Sequence, residues 1–279
     1  MDDADNNIAK PTHPLHRMVS NEPNQGQAKT ARPALACVTV SVVSHGSGRL
    51  AEKLIEQLLA QAGVEKIILT LNIRESLNLP LSKRLVVVHN DQPKGFGANH
   101  NAAFSQCETE FFCVLNPDVV LMQPIFEGLI ASMRASGAVL AAPAVVSLSG
   151  EPADSWRQFP TARDLLLKAV GKDPSVIRPD PKMDVMFPAW VGGMCLLLES
   201  EAFEQLSGFD EGYFLYYEDV DLCARIWQQG SRLIGCPKII ITHGAQRASR
   251  HNFKHMLWHA RSMARYFKKF LWRLPTIEK

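Results

Sequence analysis

The sequence predicts an α/β fold, a mostly parallel central sheet flanked by helices. Three observations predict it. Short apolar strands alternate with helical segments at βαβ spacing over residues 37–146. The strands are apolar at nearly every position, as in residues 111–115 (FFCVL), the pattern of strands covered on both faces. Polar segments follow several of them, where open α/β sheets bind ligands. These are Ser44-His45, the loop at 90–101 and Asn116-Pro117-Asp118.

Residues 1–34 are rich in Asn, Asp, Pro, Gln and His without an apolar period and predict a disordered leader. Order begins near Leu35. Residues 37–43 form the first strand and 44–48 a turn. Residues 50–62 predict a helix, with Leu54, Leu58 and Leu59 at helical spacing. Residues 66–71 and 85–88 are the second and third strands, 98–107 a short helix, and 111–115 the fourth strand. A helix over 124–136 has Pro124 near its start, and 138–146 is a strand broken by Pro143. Residues 150–188 carry many Pro and Asp, with a helix at 163–170, and read as an insert over the rim. Residues 190–198 are an approach loop and a strand, in which Gly192 and Gly193 leave room for a ligand or another backbone. A short helix at 201–206 ends at Gly208, and a strand at 238–242 ends at His243. The organisation is a leader at 1–34, an α/β domain at 35–245 and a basic helical segment at 246–279.

A net charge of +2 hides an asymmetry: residues 222–277 hold eleven Lys and Arg and no acid. Such an end faces something anionic, whether phosphate, nucleic acid or a membrane surface. No nucleic-acid reader motif accompanies it, so nucleic acid is not an expected partner. Over 252–272 the residues Phe253, Met256, Leu257, Ala260, Met263, Ala264, Phe267, Phe270 and Leu271 form an apolar stripe among basic neighbours. That pattern fits a helix docked on the core and equally one lying on an anionic membrane. The six cysteines are scattered without a Cys-x-x-Cys pair, which fits reduced thiols in a cytoplasmic protein. No apolar run is long enough to span a bilayer, and no secretory signal is visible.

Three stretches carry candidate chemistry. Residues 210–221 place five carboxylates among four aromatics (Asp210, Glu211, Tyr213, Phe214, Tyr216, Tyr217, Glu218, Asp219, Asp221). A helix opening at Glu218 and stopping at Gly230 puts Glu218, Asp219 and Asp221 in its first turn. There they serve as caps, or as a base in a partly dry wall. The loop Gly95-Phe96-Gly97-Ala98-Asn99-His100-Asn101 opens a helix, as a tight turn or a phosphate cradle. Asp118 follows an apolar strand, as a turn cap or as ligand to a cation bridging a diphosphate.

Taken in order, Asn116-Pro117-Asp118, Trp190-Val191-Gly192-Gly193, Gly208-Phe209-Asp210-Glu211, Glu218-Asp219-Val220-Asp221 and His243 resemble the inverting family 2 glycosyltransferases, in particular their rhamnosyltransferase-like branch. The resemblance covers roughly residues 37–270. It implies a GT-A fold with a nucleotide-sugar half and an acceptor half. Asp219 then resembles the catalytic base, with Glu218 beside it. Asn72, Gly95, Phe96, Gly97, Asn101, Asn116 and Asp118 fall at donor-binding positions. Trp190, Gly192, Gly193 and Asp221 fall on the acceptor side, and Asp118 and His243 at the divalent-metal (Mg²⁺ or Mn²⁺) positions. Two places depart from the family's pattern. The second strand runs into Asn72-Ile73-Arg74-Glu75-Ser76, where only Asn72 and Ser76 match, and the first ends in Ser44-His45.

The expectation is metal-dependent inverting transfer of a sugar, rhamnose among the options, from a nucleotide-diphospho-sugar to a surface polysaccharide or lipid-linked glycan. The expected place is the cytoplasm, with the basic end against the inner face of the membrane; oligomeric state is left open. A non-catalytic member binding glycan or protein, and a sugar nucleotidyltransferase, are the alternatives.

Overall fold

A computed structural model describes residues 37–244 except 162, 165, 166 and 168–170, together with 253–270, 273–275 and 277. The leader at 1–34 and most of the helix expected at 163–170 lie outside the described residues. So do the ends of the helix expected over 252–272.

The early chain winds as its apolar runs dictate. Strand β1 (Val38–Ser44) is followed by helix α1 (Arg49–Ala60) and strand β2 (Val64–Leu71). Then come β3 (Leu85–His89), α2 (Phe96–Phe104) and β4 (Phe111–Leu115). Every residue of β4 is buried, as its uninterrupted apolar run requires. Helix α1 puts Ala51, Leu54, Ile55 and Leu58 on the sheet. A two-residue strand β5 (Val119–Val120), helix α3 (Phe126–Ser136) and strand β6 (Ala138–Val146) complete the first half. Helix α3 stops where Gly137 adopts a left-handed backbone, φ 66°.

The second half adds β7 (Trp156–Arg157), β8 (Trp190–Val191), β9 (Cys195–Glu199), α4 (Ser200–Gln205), α5 (Glu218–Gln228), β10 (Arg232–His243) and α6 (Phe253–Phe270). One eight-stranded sheet runs β3-β2-β1-β4-β9-β6-β10-β5, and β7 pairs with β8 alone. β9 is antiparallel to both β4 and β6, so the sheet is parallel from β3 to β4 and mixed beyond. The carboxyl ends of β1, β2, β3 and β4 and the amino end of β9 therefore meet at one rim.

Three local expectations are corrected. Helix α2 opens at Phe96, not Ala98, because the Phe96 amide already caps onto the Phe214 carbonyl at 2.9 Å. Pro143 does not break β6: it faces Cys236, where β10 bulges between Cys236 and Ile240 and the ladder asks no donor of it. β10 itself starts at Arg232, six residues earlier than expected, the bulge having absorbed Pro237 that made the segment look broken.

Candidate active site

The site grows from the rim. After β4 the chain turns through Asn116, Pro117 and Asp118, the Val119 amide bonding the Asn116 carbonyl at 3.2 Å. The Asn116 amide donates to the Met194 carbonyl at 3.0 Å, and the neighbouring Gly193 amide donates to Asp219 Oδ2, also at 3.0 Å. The segment 192–194 thus ties the strand end bearing Asp118 to the first turn of α5 bearing Asp219. Space at Gly193 is tight, since a Cβ would come 3.2 Å from the Phe96 ring.

Asp219 is held from two sides. Its Oδ1 accepts from the Val220 amide at 2.8 Å. Burial raises its pKa against the pull of these amide bonds. Glu218 is 5% exposed, and its Oε2 has no partner. Burial first, then the charge of Asp219, pushes it well above the carboxylate range. The two adjacent carboxyls sit in one dry wall, both raised, and titrate as a pair. The wall is made by strain: Tyr216 and Tyr217, just before the helix, both have left-handed backbones at φ 70° and 68°. Each costs about 1–2 kcal/mol in a non-glycine residue. The turn aims Glu218 and Asp219 into a cleft of about 410 Å³ bordered by Trp190, Tyr216, Tyr217, Arg157 and Asp173. Arg157 is fastened to Asp173 at 3.0 Å, and Trp190 Nε1 donates to the Gln158 carbonyl.

A second cavity, of about 460 Å³, is lined by Phe96 among others. Val43, His45, Asn72, Lys94, His100 and Asn116 line its sheet side; Phe214, Lys254, His255 and Trp258 line the opposite wall. The Phe214 and Trp258 rings lie 4.7 Å apart. Asn72 is woven into the floor: its Oδ1 accepts from the Lys94 amide at 2.8 Å and its Nδ2 donates to the Lys94 carbonyl at 3.0 Å. His100 sits 2.8 Å from the Ser41 hydroxyl, and burial lowers its pKa to about 3, so the ring is neutral.

At the end of β10, His243 Nε2 lies 3.0 Å from Asp118 Oδ1. The Nε2 is buried and makes no hydrogen bond, so this close approach is not aligned as one. Two ligand atoms at right angles on a small divalent cation are also about 3.0 Å apart. The pair therefore fits two neighbouring positions of such a shell. Among the described residues no cluster of three or more His, Cys, Asp or Glu gathers for a metal. The remaining positions would fall to diphosphate and water, the usual share for magnesium at a phosphate site.

Several predicted site residues prove to have other work. Gly97 is packed on the core, where an added Cβ would lie 2.6 Å from Phe209 Cβ. Gly95 meets the Phe214 backbone, and the Lys94 and Phe96 amides bond Asn72 and Phe214. The loop is thus a braced turn, and its Pro93, Lys94, Phe96, Asn99 and His100 line the second cavity. Asn101 does not face that cavity: it clasps the Phe209 amide and carbonyl at 2.9 Å each. Asp221 is not on an acceptor surface. It is fully buried and pairs with Arg225 and Lys269, because its place on α5 turns it toward α6. The sequence reading missed Lys254, His255 and Trp258 as cavity wall, their signal having been read as surface amphipathicity. It also missed Arg157 and Asp173, which sit in the insert without a motif.

The comparisons with known proteins follow this division. Residues 51–182 match the model described as glycosyl transferase family 2, and residues 172–255 that described as the N-terminal domain of galactosyltransferase. Rhamnosyltransferase WbbL of Escherichia coli K12 is 27% identical over 252 residues, 83% of this chain and 93% of that protein. The N-acetylglucosaminyl-diphospho-decaprenol L-rhamnosyltransferase of Mycobacterium tuberculosis is 39% identical over 74 residues, 26% of this chain and 24% of that one. Among solved structures, the mannosyltransferase PcManGT of Pyrobaculum calidifontis with GDP-Man and Mn²⁺ aligns with TM-score 0.54 and 14% identity, covering 84% of this chain and 64% of that one. GalNAc-T7 with UDP, GalNAc and Mn²⁺ aligns with TM-score 0.55 and 13% identity, covering 76% and 44%. The chain spans less than two thirds of either structure, and both likenesses establish a shared fold, the GT-A fold.

Proposed function

We propose that the chain, whose residues 51–182 match the glycosyl transferase family 2 model, catalyses metal-dependent inverting transfer from a nucleotide-diphospho-sugar to a glycan hydroxyl. The observation that carries the proposal is the 192–194 bridge. It ties Asp219, which lines one cleft, to Asn116, which lines another. Single displacement needs that layout, a base on the acceptor oxygen opposite a leaving diphosphate.

In this reading Asp219 Oδ takes the proton of the acceptor hydroxyl as that oxygen attacks the anomeric carbon. The sugar–diphosphate bond breaks on the far face, and configuration inverts. The raised pKa of Asp219 suits a base. Phe96 and Trp190 supply flat apolar walls for sugar rings. Lys94 and Lys254 border the donor cavity as cations for the diphosphate. A divalent ion held by Asp118 and His243 would neutralise the leaving diphosphate. The orphaned His243 Nε2 and the 3.0 Å spacing support that assignment.

The WbbL likeness favours rhamnose as the sugar, and the basic α6 favours work beside an anionic membrane. Among the described residues no helix is long and apolar enough to cross a membrane. Calorimetric titration of dTDP, UDP and GDP, each with Mn²⁺ and with EDTA, tests the reading. Metal-dependent binding of one nucleotide supports it and names the donor class. Binding of none, or binding indifferent to EDTA, counts against it.

A further inference from the structure

The turn that aims Asp219 is strained, and its neighbours show what holds it. Tyr216 and Tyr217 follow one another with φ 70° and 68°, a backbone that non-glycine residues avoid. The two carbonyls just before them are pinned to different helices. The Phe214 carbonyl accepts from the Phe96 amide of α2 at 2.9 Å. The next, that of Leu215, accepts from the Ser262 hydroxyl of α6 at 2.8 Å. Past the turn, the Tyr217 carbonyl accepts from the Asp221 amide at 2.9 Å, so α5 begins at once and carries Glu218 and Asp219 with it. The left-handed pair spans the short gap between the grips at 214–215 and the helix that starts at Glu218.

Ser262 is 4% exposed and stands on the face of α6 that also buries Tyr266 and Phe270, at spacings of four residues. A hydroxyl in so dry a face is costly unless bonded, and this one bonds the catalytic segment. Other contacts between α6 and that segment are broad and apolar: the Tyr217 ring lies 5.3 Å from Tyr266, and the Phe214 ring 4.7 Å from Trp258. Stacked rings hold over a range of offsets, whereas a hydrogen bond fixes one atom against another.

We infer that Ser262 is a positioning residue for the active site: its hydroxyl holds the Leu215 carbonyl and, through the strained turn at Tyr216 and Tyr217, sets where Asp219 stands. α6 is then part of the catalytic apparatus through its buried face. The inference rests on the reading of Asp219 as the base for its functional meaning, and on these contacts alone for the linkage.

The test is hydrogen exchange in the full chain, read by NMR with isotopically labelled glycine. The Gly193 amide, which donates to Asp219 Oδ2 at 3.0 Å, reports on the placing of Asp219. The Gly235 amide, which donates to the Met186 carbonyl at 2.8 Å, reports on the fold at large. Ser262→Ala is expected to speed exchange at Gly193 about tenfold relative to Gly235, the factor that a lost buried hydrogen bond brings. Phe270→Leu, which loosens the same face of α6 away from the turn, is expected to leave that ratio as it is in the parent. Equal acceleration at both glycines in Ser262→Ala would overturn the inference, because Ser262 would then only stabilise the fold. So would unchanged exchange at Gly193, or a ratio that rises as much in Phe270→Leu. Nucleoside diphosphate titration of the unsubstituted chain keeps the two proposals apart: the exchange ratio needs no ligand, and absence of nucleotide binding concerns the transferase reading alone.

Discussion

Asp210→Asn tests how the basic helix is fastened to the site. Asp210 accepts from the Gly212 amide at 2.9 Å, from Arg265 at 2.8 Å and from Lys269 at 2.9 Å. Burial pushes its pKa up, but the bonds from Lys269, Gly212 and Arg265 outweigh burial and hold it at about 2. Against an ordinary value of about 3.9, that difference corresponds to at most about 2.5 kcal/mol of stability. The cations are 45% and 34% exposed, so screening reduces it to roughly 1.5 kcal/mol. The folded pKa is depressed. The stabilisation is therefore complete above the unfolded value and is lost as pH falls from about 4 through about 2. Urea unfolding of both proteins between pH 3 and 7 measures it. The gap between them is expected to be roughly 1.5 kcal/mol at pH 7 and about half that at pH 3. A gap that does not change with pH, or none at pH 7, would refute the assignment of Asp210 as the anchor of α6.

The remaining predictions concern the site itself. Glu218→Gln mimics a carboxyl already protonated. The acid limb of its kcat/KM profile should stay within about half a pH unit of the parent, above the ordinary carboxylate range of about 4; a drop of more than a unit would show that Glu218 is charged in the active form. His243→Gln should weaken nucleoside diphosphate binding in Mn²⁺ at least about tenfold and leave binding in EDTA unchanged, and equal weakening in both would remove His243 from the metal site. Gly97→Ala should cost about 1–3 kcal/mol in urea unfolding, because its Cβ would land 2.6 Å from Phe209 Cβ, and a neutral effect would contradict that packing.

The parts of this protein that were legible in its sequence are those governed by local pattern. β1 to β4 announce themselves as short, mostly apolar runs, α1 as a clean helical stripe, and the opening of α5 at Glu218 by its acids and the Gly230 stop. The pairing of Asp118 with His243 was legible through motif order alone, since no local signal brings β4 and β10 together across β9 and β6. What escaped is set by tertiary contact. Asn101 and Asp221 look like site residues in the chain, yet a turn of helix directs each into a buried clasp. Lys254, His255 and Trp258 look like the polar face of a surface helix until α6 is laid against Phe214. The double left-handed turn at Tyr216-Tyr217 has no sequence signature either, because tyrosine has no preference for that backbone.

The account turns on Asp219 as the base. Its side chain accepts from the Gly193 and Val220 amides, and an Asn in the same place keeps the volume and one of the two acceptors. The decisive measurement is turnover and nucleoside diphosphate affinity for Asp219→Asn side by side, with circular dichroism to check folding. The expected result is a fall in kcat of about 10²–10⁴ with affinity unchanged within about threefold. Parallel loss of binding and turnover in a folded protein, or turnover retained, would contradict it.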